Sequence, residues 1–80
     1  GPKARAALLS SYLSVADATD NLAMIEALTT AQESGVLRLT PQEWNNITKE
    51  GQGIERDIKF RQDQKDRAAK AQLEAEENTV

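Results

Sequence analysis

The segment GVLRLTPQEW, residues 35–44, constrains this chain more than any other. Gly35 follows Glu33 and Ser34 and reads as the glycine just past a helix C-terminus, where the backbone turns left-handed. Thr40 suits an N-cap, and Pro41 suits the first helical position, whose N–H has no intrahelical partner in any case. Glu43, three residues after Thr40, completes a capping box, and Leu39 with Trp44 has the spacing of a hydrophobic staple. One helix stops and another starts within a short step. The chain is therefore expected to fold back on itself about residues 35–40.

From Lys3 to Ser34 there is neither proline nor glycine. Leu8, Tyr12, Val15, Thr19 and Leu22 recur at steps of three or four, and so do Leu22, Ile25, Leu28 and Ala31; such spacings share a helical face. The apolar face rotates between Val15 and Ile25. Asp17, Thr19, Asp20 and Asn21 lie at that rotation, and these residue types favour caps over helix interiors. A single helix over about 3–34 is the expectation, curved at this point, with a break there as the alternative.

Downstream of Thr40 the apolar stripe is Trp44, Ile47, Gly51, Ile54 and Ile58. Gly51 lies on the stripe, where it would let the first helix approach closely, and Gly53 lies off it. Each glycine costs roughly 1 kcal/mol relative to alanine in a helix interior. Beyond Ile58 large apolar residues almost vanish, Leu73 excepted. Acid-before-base pairs take over: Glu55–Lys59, Asp57–Arg61, Asp63–Arg67 and Asp66–Lys70, at roughly 0.2–0.5 kcal/mol per pair. The pattern predicts an all-α antiparallel helical hairpin, with helices over about 3–34 and 41–75 and a turn at 35–40. The hairpin proper spans 3–60, and a charged helical extension over 61–80 frays at its C-terminus. Gly1-Pro2 reads as the remnant of a cleaved tag.

Composition narrows the chemistry. With 80 residues the chain makes one domain at most. It has no cysteine and no histidine, which removes disulfides, thiolate metal sites, the commonest general base and the commonest metal ligand. Hydrophobic residues make up 39%, below the roughly 45–50% of ordinary globular domains, so a chain this small needs tight helix packing or self-association. No apolar run approaches the ~20 residues of a membrane span. Membrane association is expected only through a segment outside this sequence.

Individual motifs are weak. KEGQGIE, residues 49–55, has a Gly-x-Gly but lacks the third glycine and the preceding strand of a dinucleotide fingerprint. Asp17, Asp20 and Asn21 have oxygen ligands for a hard cation but not the spacing of an EF-hand loop. Arg56, Lys59, Arg61, Lys65, Arg67 and Lys70 make the last helix basic, yet interleaved acids spoil the stripe that nucleic acid requires. Asn46-Ile47-Thr48 matches a glycosylation sequon on a residue expected in the core. Trp44 is accounted for by the staple. No catalytic residue, metal site or cofactor is expected.

A mismatch between the two helices points to a partner. Folding about residues 35–40 sets Ile47 near Leu28, Ile54 near Leu22, and Ile58 near Ala18 or Thr19. Continued, the same register sets Val15 against Arg61, Tyr12 against Lys65, and Leu8 against Ala68 or Ala69. Leu8, Leu9, Tyr12, Leu13 and Val15 then lack an apolar counterpart, and Phe60 points away from the core stripe. Unpaired apolar patches of this kind mark partner surfaces. These six residues are the expected interface, and the simplest partner is a second copy, two hairpins forming a four-helix bundle or coiled coil.

MIEALTTAQESGVLRLTPQEW is similar in outline to a recurring bacterial and phage pattern of helix, glycine, short apolar step, Thr or Ser, acidic residue, aromatic and second helix. Small bacterial short C-terminal domains and several small phage lipoproteins look like this. The likeness covers residues 24–47, and the step between Gly35 and Thr40 is longer here. It implies a bacterial or phage source, with the soluble part of an envelope protein as one setting. The functional expectation is a non-enzymatic protein–protein interaction module serving as assembly, adaptor or inhibitor. The alternative is a small dimeric nucleic-acid-associated protein.

Overall fold

A computed structural model describes residues 2–78; expectations that rest on Gly1, Thr79 and Val80 lie outside the described residues. The described residues are all-helical, with three helices: α1 (Pro2–Ala18), α2 (Leu22–Glu33) and α3 (Pro41–Glu77). The expected single helix over 3–34 is broken at Thr19–Asn21, so the two-helix hairpin is replaced by three helices.

The break is built from local hydrogen bonds. The Asp20 N–H donates to the Asp17 carbonyl at 3.2 Å and the Asn21 N–H to the Ala16 carbonyl at 2.9 Å. Those bonds make a Schellman motif, with Asp20 in the left-handed position at φ 51°. Asn21 then caps α2, its side-chain oxygen accepting from the Met24 N–H at 3.3 Å. Gly35, at φ 80°, ends α2 with the same two bonds, Gly35 N–H to Gln32 and Val36 N–H to Ala31. The second terminus uses the residue that this conformation favours. The first uses an aspartate, which tolerates it at a cost of about 1–2 kcal/mol. That is why the sequence shows one stop plainly and offers the other only as an alternative.

The capping box at α3 forms in full. The Glu43 N–H donates to Thr40 Oγ1 at 3.2 Å, and the Thr40 N–H donates to Glu43 Oε1 at 3.0 Å. Leu39 and Trp44 both pack against the core.

Contacts between helices set the topology. Arg5 reaches the Arg38 carbonyl, Ser10 reaches Glu50, and Arg61 reaches Asp17. The partners rise in number as α1 proceeds, from Arg38 just before α3 to Arg61 within it, so α1 runs parallel to α3 and α2 returns antiparallel between their ends. The core comprises Leu9, Leu13 and Ala16 from α1, Ile25 and Leu28 from α2, and Ile47 and Ile58 from α3. On α1 the inward stripe is therefore 9, 13 and 16, one residue over from the expected 8, 12 and 15. The shift follows from the break, because α1 packs back on both other helices instead of continuing past them.

Gly51 is buried where the three helices meet. A Cβ there would lie 3.8 Å from Ile25 Cγ2 and 3.8 Å from Leu13 Cδ2, ordinary contact distances. The close approach thus excludes larger side chains but accommodates alanine. Gly53 is more open, with the Arg56 guanidinium at 3.9 Å as its nearest neighbour. Gly53→Ala is expected to raise stability by about 1 kcal/mol through helix propensity alone. A urea titration followed by circular dichroism checks this, and an unchanged midpoint refutes it.

Candidate interaction surface and ion-pair latch

The six residues expected at a partner interface separate into three groups. Leu9 and Leu13 lie in the chain's own core, Leu13 at 0% exposure. Tyr12 is half-buried, and its hydroxyl donates to the Met24 carbonyl at 2.6 Å, tying α1 to α2. Leu8, Val15 and Phe60 are exposed at 71%, 52% and 64%. Leu8 and Val15 stand seven residues apart, two helical turns, and so share the outer face of α1. Phe60 lies apart from them on α3.

An apolar groove runs between α1 and α2. Leu8, Tyr12, Ala27, Ala31 and Leu37 form its walls over Leu9 and Leu28. The Tyr12 hydroxyl is already bonded to the Met24 carbonyl. Val36, beside Leu37, is also exposed. The sequence signalled Leu8 and Tyr12 here. It gave no sign of Ala27 or Leu37, and it placed Ala31 only on the Leu22–Leu28 stripe, because they join the groove only once α1 folds back on α2.

The break at Thr19–Asn21 is latched to α3 by charge. Arg61 donates from Nη2 to Asp17 Oδ1 at 2.6 Å and to the Asp17 carbonyl at 3.0 Å, and from Nε to Asp20 Oδ1 at 2.8 Å. Lys65 Nζ lies 3.1 Å from Asp20 Oδ2. The pair Asp17 and Asp20, read from sequence as possible cation ligands, faces a guanidinium and an ammonium instead. Lys59 pairs with Glu55 and Arg67 with Asp63 along α3, so four basic side chains of this helix face acids of the same chain. The i,i+4 spacing predicts a pair of Arg61 with Asp57 one turn away; Arg61 pairs with Asp17 and Asp20 instead. The long-range carboxylates compete successfully because both converge on its fork.

Hydrogen bonds from Arg61 and then Lys65 hold the Asp20 carboxyl below the ordinary carboxylate range. The Thr40 N–H and hydroxyl do the same for Glu43. A carboxyl whose folded value is depressed contributes stability that is present above the unfolded value, about 4, and is lost as pH falls through the folded value. The thermal midpoint is therefore expected to hold steady down to about pH 5 and to fall below about pH 4. A midpoint unchanged between pH 5 and pH 2 would contradict the latch.

From Gln62 to Asn78 every residue of α3 is exposed. The helix is about 56 Å long at 1.5 Å per residue, against about 26 Å for α1. Its far half therefore extends beyond the bundle, in a molecule 63 Å long. No helix among the described residues is long and apolar enough to cross a membrane. No protein-family model matches this chain, and neither a curated protein nor a solved structure shows a significant match to it.

Proposed function

We propose that this protein is a non-enzymatic protein–protein interaction module that assembles with a second copy of itself into a helical bundle. The open apolar groove between α1 and α2 carries this reading. Leu8 stands largely in solvent at its rim, and the neighbouring Ala27 and Ala31 leave room for another helix to approach. The chain also carries the complementary half-structure, a stretch of α3 beyond Lys65 that is exposed throughout the described residues. Small domains with an incomplete core gain stability by oligomerising. Nucleic-acid binding is the weaker reading, since four of the seven basic side chains of α3 pair with acids of the same chain.

Solution mass over a wide concentration range tests the proposal. The wild-type chain is expected to dimerise, and Leu8→Glu is expected to weaken the dimer at least tenfold, because a buried leucine contributes about 1.5–3 kcal/mol. Helix content at low concentration should stay the same. A monomer at every concentration would overturn the reading.

A further inference from the structure

We propose that the second copy binds by exchanging α1. The Thr19–Asn21 break opens, α1 and α2 join into one continuous helix, and each α1 packs on the α2–α3 pair of the partner. This rests on the self-association proposed above but not on the route by which it occurs.

Three observations support the exchange. First, nothing covalent enforces the break. Neither glycine nor proline occurs between Lys3 and Ser34, and Asp20 holds a left-handed φ of 51° that a straight helix would relieve. Straightening also restores helical hydrogen bonding at the residues that the Schellman motif interrupts. The opposing force is the Arg61–Asp17–Asp20–Lys65 latch. Its members are partly exposed, and ion pairs of that kind are weak.

Second, the lengths match. The joined helix over 2–33 would be about 48 Å long, comparable with the roughly 56 Å of α3. In the closed chain α3 outruns its neighbours; in the open chain it is matched along nearly its whole length. Ile25 lies beside Gly51, and continuing that antiparallel register sets Leu8 beside Ala68 and Val15 beside Arg61. The far half of α3 would then cover the outer face of α1, with Ala68 and Ala69 against Leu8.

Third, the directions agree. In the closed chain α1 runs parallel to α3. In the open chain α1 continues α2 and so runs antiparallel to its own α3. Two open copies paired with their α3 helices antiparallel place each α1 parallel to the partner's α3, as the closed packing requires. Leu9, Leu13 and Ala16 then find the same neighbours in the partner that they have at home. Short strained hinges favour this kind of exchange.

A matched pair of hinge variants tests the energetics. Asp20→Ala and Asp20→Gly both remove the latch carboxylate. Alanine favours the straight helix, whereas glycine favours the left-handed turn. Two hinges open per dimer, so Asp20→Ala should dimerise on the order of a thousandfold more tightly than Asp20→Gly. Equal affinities, or tighter binding by the glycine variant, would overturn the exchange.

Connectivity is tested with the native hinge. Ser10 Oγ donates to Glu50 Oε2 at 3.1 Å across α1 and α3, and the chain has no cysteine of its own. In Ser10→Cys with Glu50→Cys, a short bismaleimide applied to the isolated dimer should join two chains covalently, seen as a doubled mass on a denaturing gel. Closure within single chains of that dimer would overturn the exchange and leave self-association standing. Absence of any dimer would overturn both.

Discussion

Replacing Leu13 with alanine is expected to destabilise the protein by about 2–5 kcal/mol. Leu13 is fully buried and meets Gly51 at the point where α1, α2 and α3 converge. Truncation removes the transfer free energy of its methyl groups and leaves a cavity that three helices close only in part. A bundle of this size rarely has more than about 3–5 kcal/mol of stability in all, so the variant should lie near its unfolding midpoint at room temperature. The experiment also discriminates between folds. In a two-helix hairpin Leu13 would be a surface residue, and its loss would fall within about 0.5 kcal/mol. Leu8→Ala, measured on the monomer at low concentration, serves as the control, since Leu8 is on the same helix but exposed there. A loss below about 1 kcal/mol for Leu13→Ala in urea unfolding would refute the packing of α1 described above.

Ile58→Ala should be of similar size, about 2–5 kcal/mol, while Phe60→Ala two residues away should change monomer stability by no more than about 0.5 kcal/mol. Ile58 is fully buried and Phe60 is largely exposed. Two residues turn a helix through about 200°, so the pair reads the orientation of α3 directly. Urea midpoints measured on the monomer, at low concentration, make the comparison. Equal losses for both variants would mean that α3 is rotated from the orientation described.

Parts of this architecture are plain in the sequence. The Gly35 terminus, the Thr40–Glu43 capping box and the Ile47–Ile58 stripe are local patterns, and each is present in the structure. Leu9 and Leu13 show where reading by pattern failed. Leu8, Tyr12 and Val15 make as good a stripe as Leu9, Leu13 and Ala16, and periodicity alone cannot rank two apolar faces side by side on one helix. The deciding factor is which face meets α2 and α3, and that depends on the turn at Asp20. The candidate surface followed the same logic. Leu8 and Val15 are exposed, but the groove also needs Ala27 and Leu37, which are unremarkable in the sequence, and Ala31, whose spacing placed it on the α2 stripe without linking it to α1.

What the sequence alone determined is the helical character of the chain and the two helix termini around residues 35–40. Cap chemistry acts within one turn, so a few neighbouring residues suffice to specify it. What only the tertiary structure decided is the break at Thr19–Asn21 and, with it, the inward face of α1. An aspartate in a left-handed terminus is locally unfavourable by about 1–2 kcal/mol. Burying Leu9, Leu13 and Ala16 against two other helices offsets that cost, and Arg61, more than forty residues away, holds the turn from α3. Neither contribution exists until the helices have packed, so the cap-favouring residues at Asp17–Asn21 could suggest a break but could not decide it.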